Sequence, residues 1–326
     1  MSPRGLDEDD VRVRPGRGSR PRTRRRPAYA DAADALVIAV DRGRWTCRLG
    51  MDGTGAEVTA TRGGDLRRIP VVVGDHVLLD GDVSGQPDAL ARMVRLHPRR
   101  SLLARTPDDT ESTEKPVVAN ADLLVVVTAL LDPPPQPRLI DRCLVAAYAG
   151  GLTPVLCLTK VDLHGADDTD LRRLYEPLGV QVMTSGLDRP VTPLGALLRE
   201  RISVLFGSSG VGKSTLVNRL VTGAAQATGR VSGVGKGRHT TSAALALELP
   251  AGGWVIDTPG VRSLGLGAVT TERVVAAFPD LAEAAEHCRP GCDHLQPGCA
   301  LDDREITGEV DPTRVESLRR LLRLRG

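Results

Sequence analysis

The segment that most constrains the fold is G-S-S-G-V-G-K-S, at residues 207–214. It follows the apolar run at 202–206 and precedes a helical pattern, which is the strand–loop–helix setting of a phosphate-binding loop. In such a loop Gly207 and Gly212 let backbone amides approach the phosphates, and the positive end of the next helix dipole faces them. The alternation of buried strands and helices around it predicts an α/β domain with a mostly parallel sheet.

The loop predicts a role for each of its residues. The Lys213 ammonium is expected to reach the β- and γ-phosphates and to support catalysis, and the Ser214 hydroxyl is expected to bind Mg²⁺. The complete set of expected phosphate contacts is Gly207, Ser208, Ser209, Gly210, Val211, Gly212, Lys213, Ser214 and Thr215.

Two further segments fit a nucleoside-triphosphate site. In W-V-I-D-T-P-G at 254–260, a strand ends in D-x-x-G, so Asp257 can bind Mg²⁺ through water and Gly260 can donate its N–H to the γ-phosphate. The segment G-R-H-T-T-S at 237–242 lies between the two motifs. Its Thr241 is the first choice for a Mg²⁺-binding switch threonine, and Thr240 is the second.

The base is predicted from T-K-V-D at 159–162. The Asp162 carboxylate can accept the two N–H bonds that guanine offers, which adenine lacks, while the Lys160 stem covers the ring. The expected base contacts are Thr159, Lys160, Val161, Asp162, Thr184 and Ser185. The alternative is a strand end that reads T-K-V-D by chance.

T-K-V-D precedes the phosphate loop in the chain, whereas guanine-nucleotide-binding domains usually have the reverse order. The ends of a parallel sheet can be rejoined without changing which strands are neighbours, and domain termini often lie close together. We therefore predict a circularly permuted P-loop GTPase domain over residues 115–268.

Residues 34–114 are predicted to form a small β-barrel of the OB-fold type, with a polar linker at 106–114. Five short strand-like segments separated by Gly- and Asp-rich turns indicate this class. Trp45 is the one aromatic residue there, so we expect contact with RNA phosphates rather than base stacking. A solvated basic face is the alternative. The arginines considered are Arg62, Arg67, Arg68, Arg99, Arg100 and Arg105.

Residues 269–326 are predicted to form a helical domain around one structural Zn²⁺. Cys288, Cys292, His294 and Cys299 form C-x₃-C-x-H-x₄-C, and three thiolates with one imidazole suit closed tetrahedral zinc. The competing imidazole is His287, and free buried cysteines are the alternative to a metal site.

The chain begins with an Arg-rich segment. Nine arginines lie between Arg4 and Arg26 among Pro, Gly and Ser, and this composition predicts that residues 1–33 are a disordered tail. It either solubilises the protein or touches RNA phosphates. No apolar run approaches a membrane span, so we expect no membrane partner. We also expect the protein to be cytoplasmic and monomeric.

The ordered part resembles the RsgA family (also called YjeQ or YloQ), the small-ribosomal-subunit biogenesis GTPases. The resemblance covers residues 34–326 and rests on the motifs above together with R-R-S-L-L-A-R at 99–105 and A-N-A-D-L-L-V-V-V at 119–127. It implies binding of GTP and GDP, and GTP hydrolysis coupled to late assembly of the 30S subunit, with 16S rRNA as a partner. Thr159 stands where the family usually has Asn, and both outer gaps of the zinc motif are shorter by one residue.

The water-orienting group is the open part of the mechanism. Many GTPases have Gln directly after D-x-x-G, but here that position is Val261. His239 resembles the family's H-T-T histidine and is our candidate; contact with RNA is its alternative role. The alternative function is a nucleotide-gated RNA- or ribosome-binding module with little hydrolysis. A third is a GTPase acting on another RNA or on membranes, and the missing amphipathic anchor disfavours membranes.

Overall fold

The computed structural model describes residue 29, residues 31–105, 115–221, 244–258, residue 264 and residues 270–325. The predicted linker at 106–114 and the arginines at 4–26 lie outside these residues. The strands are β1 (Ala33–Asp41), β2 (Arg44–Leu49), β3 (Glu57–Arg62), β4 (His76–Gly81), β5 (Ala91–Leu96), β6 (Leu102–Arg105), β7 (Lys115–Ala119), β8 (Leu123–Ala129), β9 (Thr153–Thr159), β10 (Gln181–Ser185), β11 (Ile202–Phe206), β12 (Leu245–Glu248) and β13 (Trp254–Asp257). The helices are α1 (Pro137–Gly150), α2 (Thr169–Tyr175), α3 (Thr192–Leu198), α4 (Lys213–Leu220), α5 (Thr271–Val275), α6 (Pro279–Ala285), α7 (Ala300–Ile306) and α8 (Pro312–Leu322), with short 3₁₀ turns at Gly64–Leu66, Glu176–Leu178 and Arg323–Arg325.

The first five strands close into a barrel. β1 pairs with β2, β2 with β3, β3 in parallel with β5, β5 with β4, and β4 returns to β1. This is the strand order of an OB-fold, so the predicted barrel is confirmed. Only the second half of the apolar segment at 70–80 forms a strand, because the chain turns at Asp75, whose carboxylate accepts the Val72 amide at 2.8 Å.

A second set of strands forms the predicted parallel sheet, in the order β10-β9-β8-β11-β13, with β12 antiparallel at the end. β8 is buried on both faces, as its continuous apolar run indicates. Leu124 and Val126 belong to the core that contains Leu144 of α1. Val125 and Val127 belong to the core that contains α3 and α4.

The strand order confirms the circular permutation. β9, which ends in Thr159, precedes β11 in the chain, yet both have the same direction in the sheet and are separated by β8. The carboxyl ends of the parallel strands therefore lie at one edge, although the chain visits them in a permuted order.

Three strands were missed by sequence reasoning: β6 and β7, which pair with each other, and β12. They have four or five residues each, too few for a clear alternation. β12 also pairs with β1 at Leu245 and Ala39, so the barrel and the parallel sheet share one run of strands. Arg48 and Glu248 form an ion pair of 3.3 Å across this junction.

A second junction fixes the barrel to the β6–β7 pair. The fully buried Asp75 carboxylate receives Arg99 through Nε at 2.7 Å and Nη2 at 2.8 Å. Asn120 donates from Nδ2 to the Gly74 carbonyl at 2.9 Å and accepts the Arg100 amide at 2.8 Å. This junction orients the barrel on the domain that carries the phosphate loop.

The predicted C-terminal helices are confirmed, and they pack on the α1 side of the sheet. Phe278 is fully buried with its ring centroid 5.4 Å from that of Tyr148. Arg314 holds the Asp280 carboxylate with two hydrogen bonds of 2.6 and 2.7 Å. Within the part of the chain that the structure describes, no helix has the length and apolarity of a membrane span.

Gly74 offers a test of the barrel junction. Its φ is +88°, and an added Cβ would lie 2.0 Å from the Ala119 carbonyl oxygen. We expect Gly74→Ala to lower the free energy of unfolding by about 3 kcal/mol or more, because backbone strain and a clash with backbone combine.

Gly43→Ala is the matched control, since Gly43 has φ +84° and an added Cβ would meet no described heavy atom within 4 Å. It should cost about 1–2 kcal/mol for the left-handed backbone alone. Urea titrations of both variants check this, and equal losses would show that the contact with Ala119 is unimportant.

Candidate functional site

The phosphate loop connects β11 to α4 at the carboxyl edge of the sheet. Gly207 must be glycine because an added Cβ would lie 2.4 Å from the Val127 carbonyl oxygen. Gly210 and Gly212 have φ of +83° and +88°, a region that favours glycine. The loop therefore turns tightly against β8 and leads directly into α4, whose first turn is the positive end of the helix dipole.

The first turn of α4 carries the residues expected to contact phosphate and metal. Lys213 contacts the Asp257 carboxylate at the end of β13, and both side chains are largely buried. Ser214 and Thr215 follow Lys213 and are exposed, as are Ser209 and Gly210, whereas Ser208 is half-buried. Lys213 and Asp257 are therefore in contact, and Ser214 follows Lys213 at the start of α4. An ammonium, a hydroxyl and a carboxylate are the groups that a magnesium–phosphate complex requires.

Thr159 ties the end of β9 to the phosphate loop. It is 5% exposed, and its hydroxyl lies 2.5 Å from the Val211 carbonyl oxygen and 3.2 Å from the Thr128 carbonyl oxygen. The shorter contact identifies Val211 as the acceptor. The residue that departs from the usual family Asn therefore still makes a polar contact at this position, within the protein rather than toward solvent.

The rest of T-K-V-D lies at the same edge. Lys160 has φ +57°, and its ammonium donates to the Asp132 carbonyl. Val161 is half-buried, and Asp162 is exposed beside Gly186, where an added Cβ would lie 2.8 Å from Asp162 Oδ1. This arrangement leaves the Asp162 carboxylate accessible to a planar base with paired N–H donors.

β10 brings the second base segment next to the first. Ser185 is the register partner of Thr159, and Thr184 is the partner of Leu158. Ser185 is buried and Thr184 is half-buried. The structure therefore brings the predicted base-reading and phosphate-binding residues to one edge, together with Asp257.

Four predicted site residues lie outside the described part of the chain: His239, Thr240, Thr241 and Gly260. Sequence reasoning missed two groups that are described, the Asp132 carbonyl that receives Lys160 and Arg219, which binds the segment after β10. No local pattern indicates them, because their contacts bridge 28 and 33 residues.

The second candidate site is the cluster of Cys288, Cys292, His294 and Cys299, whose ligand atoms all lie within 4.8 Å of one another. Cys288 Sγ is 3.6 Å from both His294 Nδ1 and Cys299 Sγ, and His294 Nδ1 is 3.4 Å from Cys299 Sγ. Ligand bonds of about 2.0–2.3 Å in a tetrahedron give separations of this size, so the cluster can hold a metal ion.

Neighbouring charges orient this cluster. Arg319 donates from Nε to the His294 carbonyl at 3.0 Å and from Nη2 to Asp302 at 2.5 Å. Burial lowers the pKa of His294 and raises the pKa of Cys299 to about 12. The neutral imidazole suits metal binding, whereas the thiol requires a cation to become a thiolate. His287 lies instead against the Arg304 guanidinium, at 3.2 Å.

The barrel arginines divide into two groups. Arg99 is committed to Asp75, and Arg62 lies 4.9 Å above the buried Trp45 ring and donates to the Ile69 carbonyl at 3.2 Å. Trp45 itself is buried, with Nε1 bonded to the Val71 carbonyl, so it is not a stacking platform. Arg100 is exposed but pairs with Asp122 at 3.2 Å. The other exposed arginines considered for phosphate contact are Arg67, Arg68 and Arg105.

Comparison with known proteins agrees with this geometry. The model of the RsgA GTPase family matches residues 96–267, which include T-K-V-D, the phosphate loop and D-x-x-G. The small ribosomal subunit biogenesis GTPase RsgA of Chromohalobacter salexigens is 40% identical over 260 residues, covering 77% of this chain and 74% of that protein. The chain belongs to the RsgA GTPase family. The RsgA protein of Carboxydothermus hydrogenoformans is 37% identical over 76% of this chain and 83% of its own length.

Solved structures show the same fold as this RsgA-family chain. YjeQ from Thermotoga maritima superposes with a TM-score of 0.63 at 22% identity, covering 90% of this chain and 98% of that one. YloQ, described as a circularly permuted GTPase, gives 0.65 at 22% identity, covering 92% and 97%. The predictions of the family, of a GTPase and of its permuted fold are confirmed.

Thr159→Val tests the link between β9 and the phosphate loop. The change keeps the shape but leaves the Val211 carbonyl without its donor, so we expect a loss of about 1–2 kcal/mol in stability. GDP affinity should also fall, because the loop loses one of its anchors.

Thr153→Val is the matched control at the opposite, exposed end of β9. It should change stability by less than about 0.5 kcal/mol. Thermal unfolding and calorimetric GDP titration check both variants. Identical behaviour of the two would show that the Thr159 hydroxyl does not anchor the loop.

Proposed function

We propose that this chain is a GTPase that acts in late assembly of the small (30S) ribosomal subunit and hydrolyses GTP to GDP and phosphate while bound to it. The observation that carries the proposal is the alignment of β9, β10, β11 and β13, which brings the residues predicted to contact base, phosphate and metal to one edge of the sheet. The relatives named above are described as small ribosomal subunit biogenesis GTPases, which supports the ribosomal role.

In the proposed site, the base and the phosphates of the nucleotide bind at two different parts of the sheet's carboxyl edge. Asp162 accepts the guanine N1–H and amine, Lys160 covers one face of the base, and Thr184 and Ser185 lie on the neighbouring strand. The loop at 207–215 holds the phosphates with its amides and with Lys213. Both GTP and GDP can bind in this way, since they differ only in the γ-phosphate.

Magnesium is the metal that this site would bind together with GTP. Ser214 and Thr241 would be its protein ligands, with Asp257 acting through water, and oxygen donors of this kind suit Mg²⁺. Magnesium neutralises charge on the phosphate oxygens during transfer. Two observations support this assignment: Ser214 is exposed, and its neighbour in sequence, Lys213, contacts the Asp257 carboxylate. Lys213, now paired with Asp257, would exchange that partner for the phosphates.

His239 is the proposed water-orienting group. Val261 stands where many GTPases have Gln, and an isopropyl group can neither accept nor donate a hydrogen bond. His239 lies in the segment between the phosphate loop and Asp257, next to Thr240 and Thr241. We propose that the assembling subunit orders this segment and thereby brings the imidazole to the water.

The partner surface is proposed to include 16S rRNA. The exposed arginines of the barrel favour contacts to phosphates, since its tryptophan is buried. Residues 1–33 would add positive charge to the same partner. We propose that the chain acts as a monomer in the cytoplasm. Its proposed domains are the barrel at 34–114, the GTPase domain at 115–268 and the zinc-binding domain at 269–326.

A second function is favoured by Val261: a nucleotide-gated module that binds the ribosome and scarcely hydrolyses GTP. The two functions share the nucleotide site and differ in turnover on the subunit. Single-turnover hydrolysis with and without small subunits separates them, combined with co-sedimentation under a GTP analogue, GDP and no nucleotide.

The expected result is that the parent protein sediments best with small subunits in the GTP-analogue form and hydrolyses GTP faster on them. His239→Ala should keep GTP affinity and co-sedimentation but lose most of the stimulated rate, by about 10²–10⁴-fold. Ser214→Ala should abolish hydrolysis, because the proposed hydroxyl ligand to magnesium is lost. His287→Ala is the control for replacing a histidine elsewhere in the chain. A parent rate unchanged by subunits would favour the binding module, and an unimpaired His239→Ala would assign the water to another group.

We also propose that the cysteine–histidine cluster binds one structural Zn²⁺. Its donor set of three sulfurs and one imidazole nitrogen, at 3.4–3.6 Å where they are closest, supports zinc. All four positions of a tetrahedron would be filled by protein, so the site stabilises the C-terminal helices and does not perform chemistry. Arg319 would hold His294 and the start of α7 in place around the ion.

Two neighbouring histidines test this assignment. His294→Ala should reduce bound zinc well below one ion per chain and lower the melting temperature, because a ligand is lost. His287→Ala should retain one zinc, since His287 contacts Arg304 instead. Zinc content by elemental analysis checks both. If His287→Ala lost its zinc and His294→Ala retained it, His287 would be the ligand and His294 would not.

A further inference from the structure

The short turn after β10 lies directly against the base-reading carboxylate. Its first residue, Gly186, is buried, and its carbonyl accepts the Arg189 amide at 3.3 Å. A Cβ added to Gly186 would lie 2.8 Å from Asp162 Oδ1 and 2.6 Å from Asp188 Oδ1. The position of this turn therefore limits where the Asp162 carboxylate can stand.

Arg219 of α4 bonds both ends of this turn. Its Nη1 donates to the Gly186 carbonyl at 2.8 Å, and its Nη2 donates to the Arg189 carbonyl. The side chain is half-buried, so these bonds are partly shielded from water. One guanidinium thus spans the two carbonyl groups that define the turn.

The same helix carries the phosphate-binding residues. α4 begins at Lys213, with Ser214 next in sequence, and Arg219 lies in its last turn. A helix is a rigid element over eight residues, so the distance between its first turn and its last turn is fixed. Arg219 therefore connects the phosphate end of the site to the base end through one rigid segment.

We propose that Arg219 is a positioning residue for guanine recognition: it clamps the turn at 186–189 to the phosphate-loop helix and so holds Asp162 in register with the phosphates. This inference rests on the proposed binding of guanine nucleotides. It goes beyond the nucleotide motifs, because Arg219 belongs to none of them and is separated from the turn by at least 30 residues.

The planar fork of arginine matters for this role. Two N–H groups of a guanidinium can reach two carbonyls at once in a fixed geometry, whereas a lysine ammonium is a point charge on a flexible stem. Lysine at position 219 would keep the charge and lose the simultaneous geometry. The Lys variant therefore separates positioning from the attraction of a positive charge for phosphates.

The test uses the full-length protein with Arg219→Met, which keeps an apolar stem, and Arg219→Lys, which keeps the charge. Arg173→Met is the control for loss of an exposed arginine, since the Arg173 side chain is 77% exposed. Calorimetric titration with GDP, ADP and magnesium pyrophosphate gives base-dependent and base-independent affinity separately. Thermal unfolding in each case reports whether the variant is folded.

In both Arg219 variants GDP affinity should fall roughly tenfold, the scale of losing a hydrogen bond to a charged group. Pyrophosphate affinity should stay unchanged, and Arg173→Met should match the parent. In an Asp162→Ala background, Arg219→Met should cost little further GDP affinity, because the clamp acts through Asp162.

Three outcomes would overturn the inference. The first is that the Arg219 variants lose affinity for GDP and pyrophosphate to the same extent. The second is that Arg219→Met still causes its full loss of GDP affinity in the Asp162→Ala background. The third is that a folded Arg219→Lys protein binds GDP as tightly as the parent does. A parent protein that binds ADP as well as GDP would instead refute the proposed guanine specificity. If Arg219→Met does not fold, Arg219→Lys and its GDP-to-pyrophosphate comparison decide the question.

Discussion

The parallel hydrogen-bond ladder through β9, β8, β11 and β13 is the interaction on which the rest of the structure depends. In this ladder Ala129 is level with Thr159, Val126 with Phe206, and Leu205 with Asp257. Because every strand runs the same way, each one delivers its following residues to the same edge. A shift by one residue would turn the apolar side chains of β8 to the wrong faces, so burial holds the register that aligns the site.

Side-chain contacts then refine what the ladder aligns. The Thr159 hydroxyl donates a hydrogen bond to the phosphate loop, and Lys213 at the start of α4 contacts Asp257 at the end of β13. Arg219 reaches from α4 to the turn that follows β10. Each of these contacts joins segments that are far apart in the chain, so different strands and α4 hold one another in position at the site. This is the kind of preorganisation that binding of a charged ligand requires.

The barrel and the C-terminal helices are attached to this core by buried polar groups rather than by apolar contact alone. On one side Asp75 and Arg99 form a bidentate pair within the junction that also holds Asn120. On the other side Arg320 of α8 lies 3.2 Å from the nearly buried Asp141 of α1, and burial raises the pKa of that carboxyl. Such pairs are costly to break singly, so they fix orientation as well as attachment. The cysteine–histidine cluster is joined to the same helix α8 through Arg319.

The sequence by itself determined the class of the fold and most of the site. G-x-x-x-x-G-K-S, T-K-V-D and the cysteine–histidine spacing are local patterns whose chemistry depends on neighbouring residues, and the order of the first two predicts the permutation. The tertiary structure agrees with the choice of His294 for the cluster, since His287 contacts Arg304 instead. It alone decided that Arg99 belongs to the scaffold, that β12 joins the barrel to the sheet, and that Arg219 binds the turn after Ser185. These features depend on contacts between residues 24 to 206 positions apart, and no local pattern carries information about partners at that distance.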